Sequence, residues 1–497
     1  MATQHPDNAR APYWERGKGD GFISVHEELK ECLFCFRDLE VGEFMWDWEG
    51  KFADEAVIDK LFSNYYDYFK KHQLGKDKFL TFRLPNIWKE KGYSLIRALM
   101  VILTSEDFAR DLKFHYPPLF EVILPMTEKA KQLIYIKKSF KELSRFKCKA
   151  FNHYAHKNCE NIEIIPLLEG VENQIKIKRL LNDYVQLHKS NFKSKPQYIR
   201  PFLARSDPAL ISGLLATVLA NKIALSETAL FSKKSGIPTY PIIGAGSLVF
   251  RGGLSPQFPQ KFINEYSGVR TLTIQSAFKY DYPIVQVKNA INYFNNHLCK
   301  SKTRIILDKE RRGLLAIVRK CEKIYQETLP KIISEVEPLF SAVPRRRERR
   351  LHIGFLAYGR KLGKIRLPRA INFVAAFYSL GIPPEFIGLG RLLAKLSKNE
   401  YKLFQKHYLN FIYDIKQAGR FLNTDNVSKF VKKNKAWKLI QQDIDLTEKI
   451  LKLKFSPKLK DDFIYKKLTD KVLLFKNNPQ KLKNLISETG KIRKSLG

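Results

Sequence analysis

Short apolar runs recur along this chain, each closed by polar or charged residues and followed by a stretch with helical spacing. The runs are 43–46, 78–82, 119–124, 162–168, 199–204, 241–243, 270–274 and 352–357. Apolar runs of this length read as buried strands. Helical patterns at 54–71, 93–103, 128–145, 171–189 and 209–226 separate most of them. Strand–helix alternation at this spacing demands a parallel sheet covered by helices. Eight such units, with polar residues at each carboxyl end, predict an α/β fold of the (β/α)8 TIM-type barrel with its site on that face. A doubly wound open sheet is the alternative reading.

The fifth run shows the pattern most clearly. Residues 199–204 deliver Arg205, Ser206 and Asp207, and Pro208 then suits the first turn of a helix. An Asp here also serves as an ordinary helix cap; the recurrence of the pattern favours a site. Glu169 follows the fourth run, so Glu169 and Asp207 are expected on adjacent strands. Two carboxylates beside an oxygen-rich ligand suit magnesium. Arg83, Arg205, Arg251, Arg360 and Arg369 fall at or just beyond strand ends. Guanidinium forks match phosphate and carboxylate geometry, and converging like charges repel unless an anion sits among them.

Residues 244–256 are glycine-rich after a strand but lack the dinucleotide fingerprint and the P-loop lysine. They fit a mobile anion-binding loop carrying Arg251. His5 precedes a proline near the start of the chain. Tied over the mouth of a barrel, it becomes a proton carrier near neutral pH.

Charge narrows the partners. The 497 residues carry 88 Lys plus Arg against 50 Asp plus Glu, a net +38, which favours polyanions. No nucleic-acid reader motif or aromatic-basic platform accompanies the charge, so a nucleic-acid partner is not expected. Six cysteines in this length form no disulfide framework, and the single Cys32/Cys35 pair reads as core packing rather than a zinc site. The first residues lack a signal design, and no apolar run approaches the ~18–20 residues of a membrane helix. A soluble, cytoplasmic protein with no membrane partner is expected. Residues 1–395 read as the barrel with a helical insertion around 284–345. Residues 344–350 are a basic loop, and 396–497 a Lys-rich helical extension.

Several longer motifs add a resemblance. Ala2-Thr-Gln-His-Pro-Asp-Asn8, Trp46-Asp-Trp-Glu-Gly-Lys51, Phe82-Arg-Leu-Pro-Asn86, Glu121-Val-Ile-Leu-Pro-Met126, Arg200-Pro-Phe-Leu-Ala-Arg-Ser-Asp-Pro-Ala209, Phe250-Arg-Gly-Gly-Leu-Ser-Pro256, Thr273-Ile-Gln-Ser-Ala-Phe278 and Leu367-Pro-Arg-Ala-Ile371 run in order from the first residue to about 391. Together they resemble the archaeal-type, short-form phosphoenolpyruvate carboxylases. The resemblance implies a (β/α)8 enzyme, commonly a homotetramer, that forms oxaloacetate and phosphate from phosphoenolpyruvate and bicarbonate with Mg2+ or Mn2+. The route implied runs through carboxyphosphate and a metal-bound enolate. By this likeness His5 handles carboxyphosphate, while Glu169 and Asp207 hold the metal. Arg83, Arg360 and Arg369 bind substrate anions, and Arg251 covers bicarbonate. The chain departs from the longer relatives with Leu210 in place of a lysine, and from many short ones with Lys279 in place of an arginine. It also has one Arg-Gly-Gly unit where the long form has two.

Overall fold

The computed structural model describes residues 1–15, 22–49, 53–90, 92–151, 161–348, 360–363 and 365–497. Seven of the expected runs are strands: β1 (Glu43–Asp47), β2 (Phe79–Arg83), β3 (Glu121–Leu124), β4 (Glu163–Leu168), β5 (Phe202–Ala204), β6 (Ile242–Gly244) and β7 (Thr271–Thr273). They pair in sequential order, every neighbour parallel. The order never reverses, so the sheet has no topological switch point and the doubly wound alternative is excluded. The eighth run, 352–357, lies outside the described residues.

Alternation along the strands divides the apolar side chains between two faces. Met45, Ile123, Ile165, Leu167, Phe202 and Ile242 meet in one cluster on the inner face. Phe44, Trp46, Phe82, Val122, Leu168, Leu203 and Leu272 join the helices on the outer face. Side chains from five strands converge on the inner cluster because the sheet curves into a half-barrel. Between its edges Ala2 makes one parallel bridge to Phe44 and another to Ile274. Its N–H donates to Glu43 O at 2.7 Å, and Met45 N–H returns a bond to Ala2 O at 2.8 Å.

Where one helix was expected over 209–226 there are two, Ser206–Ser212 and Leu214–Ser235. Gly213 separates them at φ +84, and a Cβ there would lie 2.9 Å from the Tyr325 ring. The second helix, 22 residues long, includes an 18-residue window with a mean hydropathy of 1.4, long and apolar enough by composition to cross a membrane. Its apolar window is 89% buried within the protein, so the hydrophobicity serves the core.

The segment 284–345 contains helices Ile284–His297 and Asp308–Thr328. Beyond 396 the chain is helical to Arg493. Lys429, Lys432, Lys433 and Lys435 are exposed while Val427 and Phe430 are buried, the amphipathic pattern of a solvated basic face. Trp437, Ile440, Ile486 and Leu496 share one hydrophobic cluster with Val218, Ile317, Phe373 and Phe377. Cys32 and Cys35 are fully buried as expected, and burial pushes the Cys35 thiol up to about 12.

Candidate active site

A cavity of about 370 Å³ opens at the carboxyl ends of the strands. His5, Arg83, Glu169, Arg205, Asp207, Arg251 and Arg369 all line it. These are seven of the eight residues singled out in the sequence, drawn from positions hundreds of residues apart. The eighth, Arg360, opens strand β8 (Arg360–Leu362), which pairs antiparallel with β9 (Ile365–Leu367). Its side chain lies outside the described residues.

Glu169 directly follows β4, and Asp207 lies in the first turn after β5. The register of these neighbouring strands, Leu167 beside Phe202 and Leu168 beside Leu203, brings the two carboxylates to the same face. A residue not foreseen from the sequence ties the two strand ends together. Gln174, fully buried, donates from Nε2 to Leu168 O at 3.0 Å and to Ala204 O at 2.9 Å. Asn221 Nδ2 donates in turn to Gln174 Oε1 at 2.8 Å. Among the described residues no group of three or more His, Cys, Asp or Glu forms a closed metal cage. A two-carboxylate donor set fits a hard divalent cation that keeps its remaining positions for water and substrate oxygens.

The arginines are held in different ways. Arg83 ends β2 beside Asp47, the end of β1, and makes two parallel bonds of 2.9 Å to its carboxylate. Glu49 lies 2.8 Å from Arg83 Nη1. Burial opposes the charge of Arg83, but the two carboxylates more than offset it and hold the guanidinium more firmly protonated than usual. Arg205 caps the helix Ser206–Ser212, is 1% exposed, and leaves Nε and Nη1 buried without a hydrogen-bond partner. Arg369 caps the helix Ala370–Ser379.

Arg251 differs from expectation. The loop pictured as mobile is a short turn closed on itself, with Gly246 N–H donating to Arg251 O at 2.8 Å and Leu254 N–H to Gly246 O at 3.0 Å. The Arg251 side chain is 1% exposed. It pairs with Asp7 at 3.0 Å, donates to Gln275 Oε1 at 2.5 Å and Ser206 Oγ at 3.1 Å, and reaches Gly497 O. Gly252, at φ +129, permits this turn: a Cβ there would stand 2.6 Å from the Ala245 side chain.

The first residues form a strap across the strand ends. Thr3 N–H donates to Ile274 O at 3.0 Å, Ser276 N–H to His5 O at 3.2 Å, and Ala277 N–H to Asp7 Oδ1 at 2.7 Å. His5 thus sits at the cavity, its Nδ1 3.0 Å from Thr3 Oγ1. Of the three departures noted in the sequence, the substitutions at Leu210 and Lys279 do not reach the cavity lining, whereas the single Arg-Gly-Gly unit brings Arg251 to it. Leu210 is fully buried in the core, and Lys279 is fully buried against Glu31 at 2.8 Å and Thr3 O at 3.0 Å.

Carboxylates and arginines gathered at the carboxyl end of a parallel α/β sheet define an enzyme of the α/β class with a site shaped for small anions. Comparison with known proteins narrows the class. A family model described as phosphoenolpyruvate carboxylase matches residues 1–497. A phosphoenolpyruvate carboxylase of Leuconostoc mesenteroides is 42% identical over 498 residues, covering 100% of this chain and 98% of the relative. One from Metallosphaera sedula is 36% identical over 514 residues, covering 100% and 99%, and one from Picrophilus torridus 37% over 434 residues, covering 85% and 83%. The chain belongs to the phosphoenolpyruvate carboxylase family, in its archaeal-type short form.

Proposed function

We propose that this chain joins phosphoenolpyruvate and bicarbonate to give oxaloacetate and phosphate. The observation that carries the reading is the convergence of His5, Arg83, Glu169, Arg205, Asp207, Arg251 and Arg369 on one cavity. Full-length relatives named for that activity support it. Glu169 and Asp207 would hold Mg2+ or Mn2+, which supplies charge stabilisation to substrate oxygens when bound.

Bicarbonate attack on the phosphoryl group spreads negative charge over the transferred oxygens, and fixed cations lower that barrier. Arg205, with two buried N–H groups unspent, and Arg369 are assigned to those oxygens. Arg251, held by Asp7 and Gln275, is assigned to bicarbonate and the carboxyphosphate formed from it. The strap of residues 1–9 excludes water, which would otherwise protonate the enolate of pyruvate before carbon dioxide is captured. His5 Nδ1 is committed to Thr3, so carboxyphosphate breakdown is assigned to a proton handled at Nε2.

The half-barrel is read as a (β/α)8 architecture. Sequential parallel order, a site at the strand carboxyl ends and the Ala2 bridges to both edges support this. A homotetramer in the cytoplasm completes the proposal. The test couples oxaloacetate to malate dehydrogenase with metal and bicarbonate present. NADH consumption that requires both substrates is expected; its absence rejects the reading.

A further inference from the structure

Residues 344–350 form the basic loop noted in the sequence. Its described part, residues 344–348, lines the active cavity together with Arg369. Three consecutive arginines occupy it, and the structure uses them differently. Arg347, 4% exposed, pairs with Glu28 at 3.1 Å and Glu31 at 2.5 Å. Arg346, 6% exposed, donates to Ala9 O at 3.1 Å and Ser487 Oγ at 3.2 Å. Backbone bonds complete the anchorage: Ile23 N–H donates to Arg346 O at 3.0 Å and Glu348 N–H to Ile23 O at 2.8 Å. The Glu348 carboxylate accepts from Val25 N–H at 3.1 Å.

Arg345 is the remainder. It is exposed, it lines the same cavity, and it has no hydrogen-bond or ion-pair partner among the described residues. Its backbone is fixed by Arg346 and Arg347, while its guanidinium stays in contact with solvent at the cavity wall. The charge balance says what such a group can attract. Among the described residues seven arginines line the cavity against four carboxylates, Glu49, Glu169, Asp207 and Glu348. Arg83, Arg251 and Arg347 spend their charge on carboxylate partners. An unspent guanidinium at the rim of a positive cleft captures anions, most strongly those of highest charge.

We propose that Arg345 is the substrate-capturing residue of this site, binding the phosphoryl or carboxylate oxygens of phosphoenolpyruvate as it enters. Bicarbonate, with a single charge, depends on it much less. The inference rests on the reading that phosphoenolpyruvate is the substrate.

The test compares the full-length protein with Arg345→Gln and Arg345→Lys. Arg345→Gln should raise the KM for phosphoenolpyruvate about tenfold at low ionic strength, with kcat within about twofold. Its kcat/KM should also depend less steeply on salt than the parent's. Arg345→Lys should recover most of the loss, since capture needs charge before it needs a fork. A KM for phosphoenolpyruvate within twofold of the parent overturns the proposal, as does a rise confined to the KM for bicarbonate. A fall in kcat that lysine does not rescue, with lowered thermal stability, would assign Arg345 to holding the loop instead. Calorimetric titration with phosphoenolpyruvate and Mg2+, without bicarbonate, keeps the two readings separate. A parent that binds but forms no oxaloacetate defeats the reaction, while the same titration of Arg345→Gln still judges capture.

Discussion

Asp7 and Arg251, 244 positions apart, form an ion pair of 3.0 Å that is almost completely withdrawn from solvent. Burial pushes the Asp7 carboxyl up from its ordinary range, against the pull of Arg251 and of the Ala277 N–H. Burial likewise lowers Arg251, which Asp7 opposes. Removing one partner of such a pair strands the other, at about 3–5 kcal/mol. Asp7→Asn is expected to lower unfolding free energy by that order in urea titrations and to depress turnover, because Arg251 loses its fixed direction. Unchanged stability would mean that the pair is open in solution.

The carboxylate pair gives a second expectation. Asp207→Asn should weaken Mn2+ binding by about 100-fold or more and abolish turnover. Electron paramagnetic resonance of free Mn2+ reads the affinity without any reaction. Parent-like affinity would move the metal elsewhere.

Gln174 does not line the cavity, yet it ties together the strand ends that carry Glu169 and Asp207. Gln174→Leu removes the Nε2 bonds to Leu168 O and Ala204 O and leaves Ala204 O only the longer bond from Asn221 Nδ2 at 3.3 Å. If Glu169 and Asp207 hold the metal, a positioning group of this kind changes its affinity by about 10–100-fold, and that loss should appear in the same Mn2+ titration. A stability loss with normal affinity would make Gln174 a packing residue only.

His5→Asn separates two half-reactions. If the imidazole acts on carboxyphosphate, phosphate release should persist while oxaloacetate formation falls by about 10²–10⁴. Equal loss of both products in parallel assays rejects that role.

Glu385 makes stability depend on pH. Burial raises its carboxyl from 4.5 to about 7, although the Tyr378 hydroxyl at 2.6 Å and Phe250 N–H at 2.8 Å pull the other way. The folded state therefore holds a proton that the unfolded chain has released. Stability from this group is complete below pH 4.5, declines as pH rises and levels off above about 7. Glu385→Gln keeps an acceptor for both donors and removes the titration. The variant should match the parent near pH 4.5 and exceed it above pH 7 by up to about 3 kcal/mol. A pH-independent difference in thermal melts would refute this.

Much of the site was legible because its residues fall where short apolar runs stop. A strand fully buried by helices must end in polar residues, so Arg83, Glu169, Arg205 and Asp207 were exposed by pattern alone. The roles of Asp7, Gln174 and Arg345 were not. Asp7 stood inside a quoted motif, but nothing local names Arg251 as its partner. Gln174 sits in an ordinary helical stretch, and Arg345 is indistinguishable in sequence from the two arginines after it.

The amino-acid sequence by itself located the seven strands and the chemical types at their carboxyl ends, because periodicity and strand-end polarity are local properties, while their sequential order in the sheet was read from the fold. Tertiary structure alone decided which charges remain available to a ligand. Arg83, Arg251 and Arg347 meet carboxylates brought from elsewhere in the chain, while Arg345 meets none among the described residues, and such pairing depends on distances that only the folded chain sets.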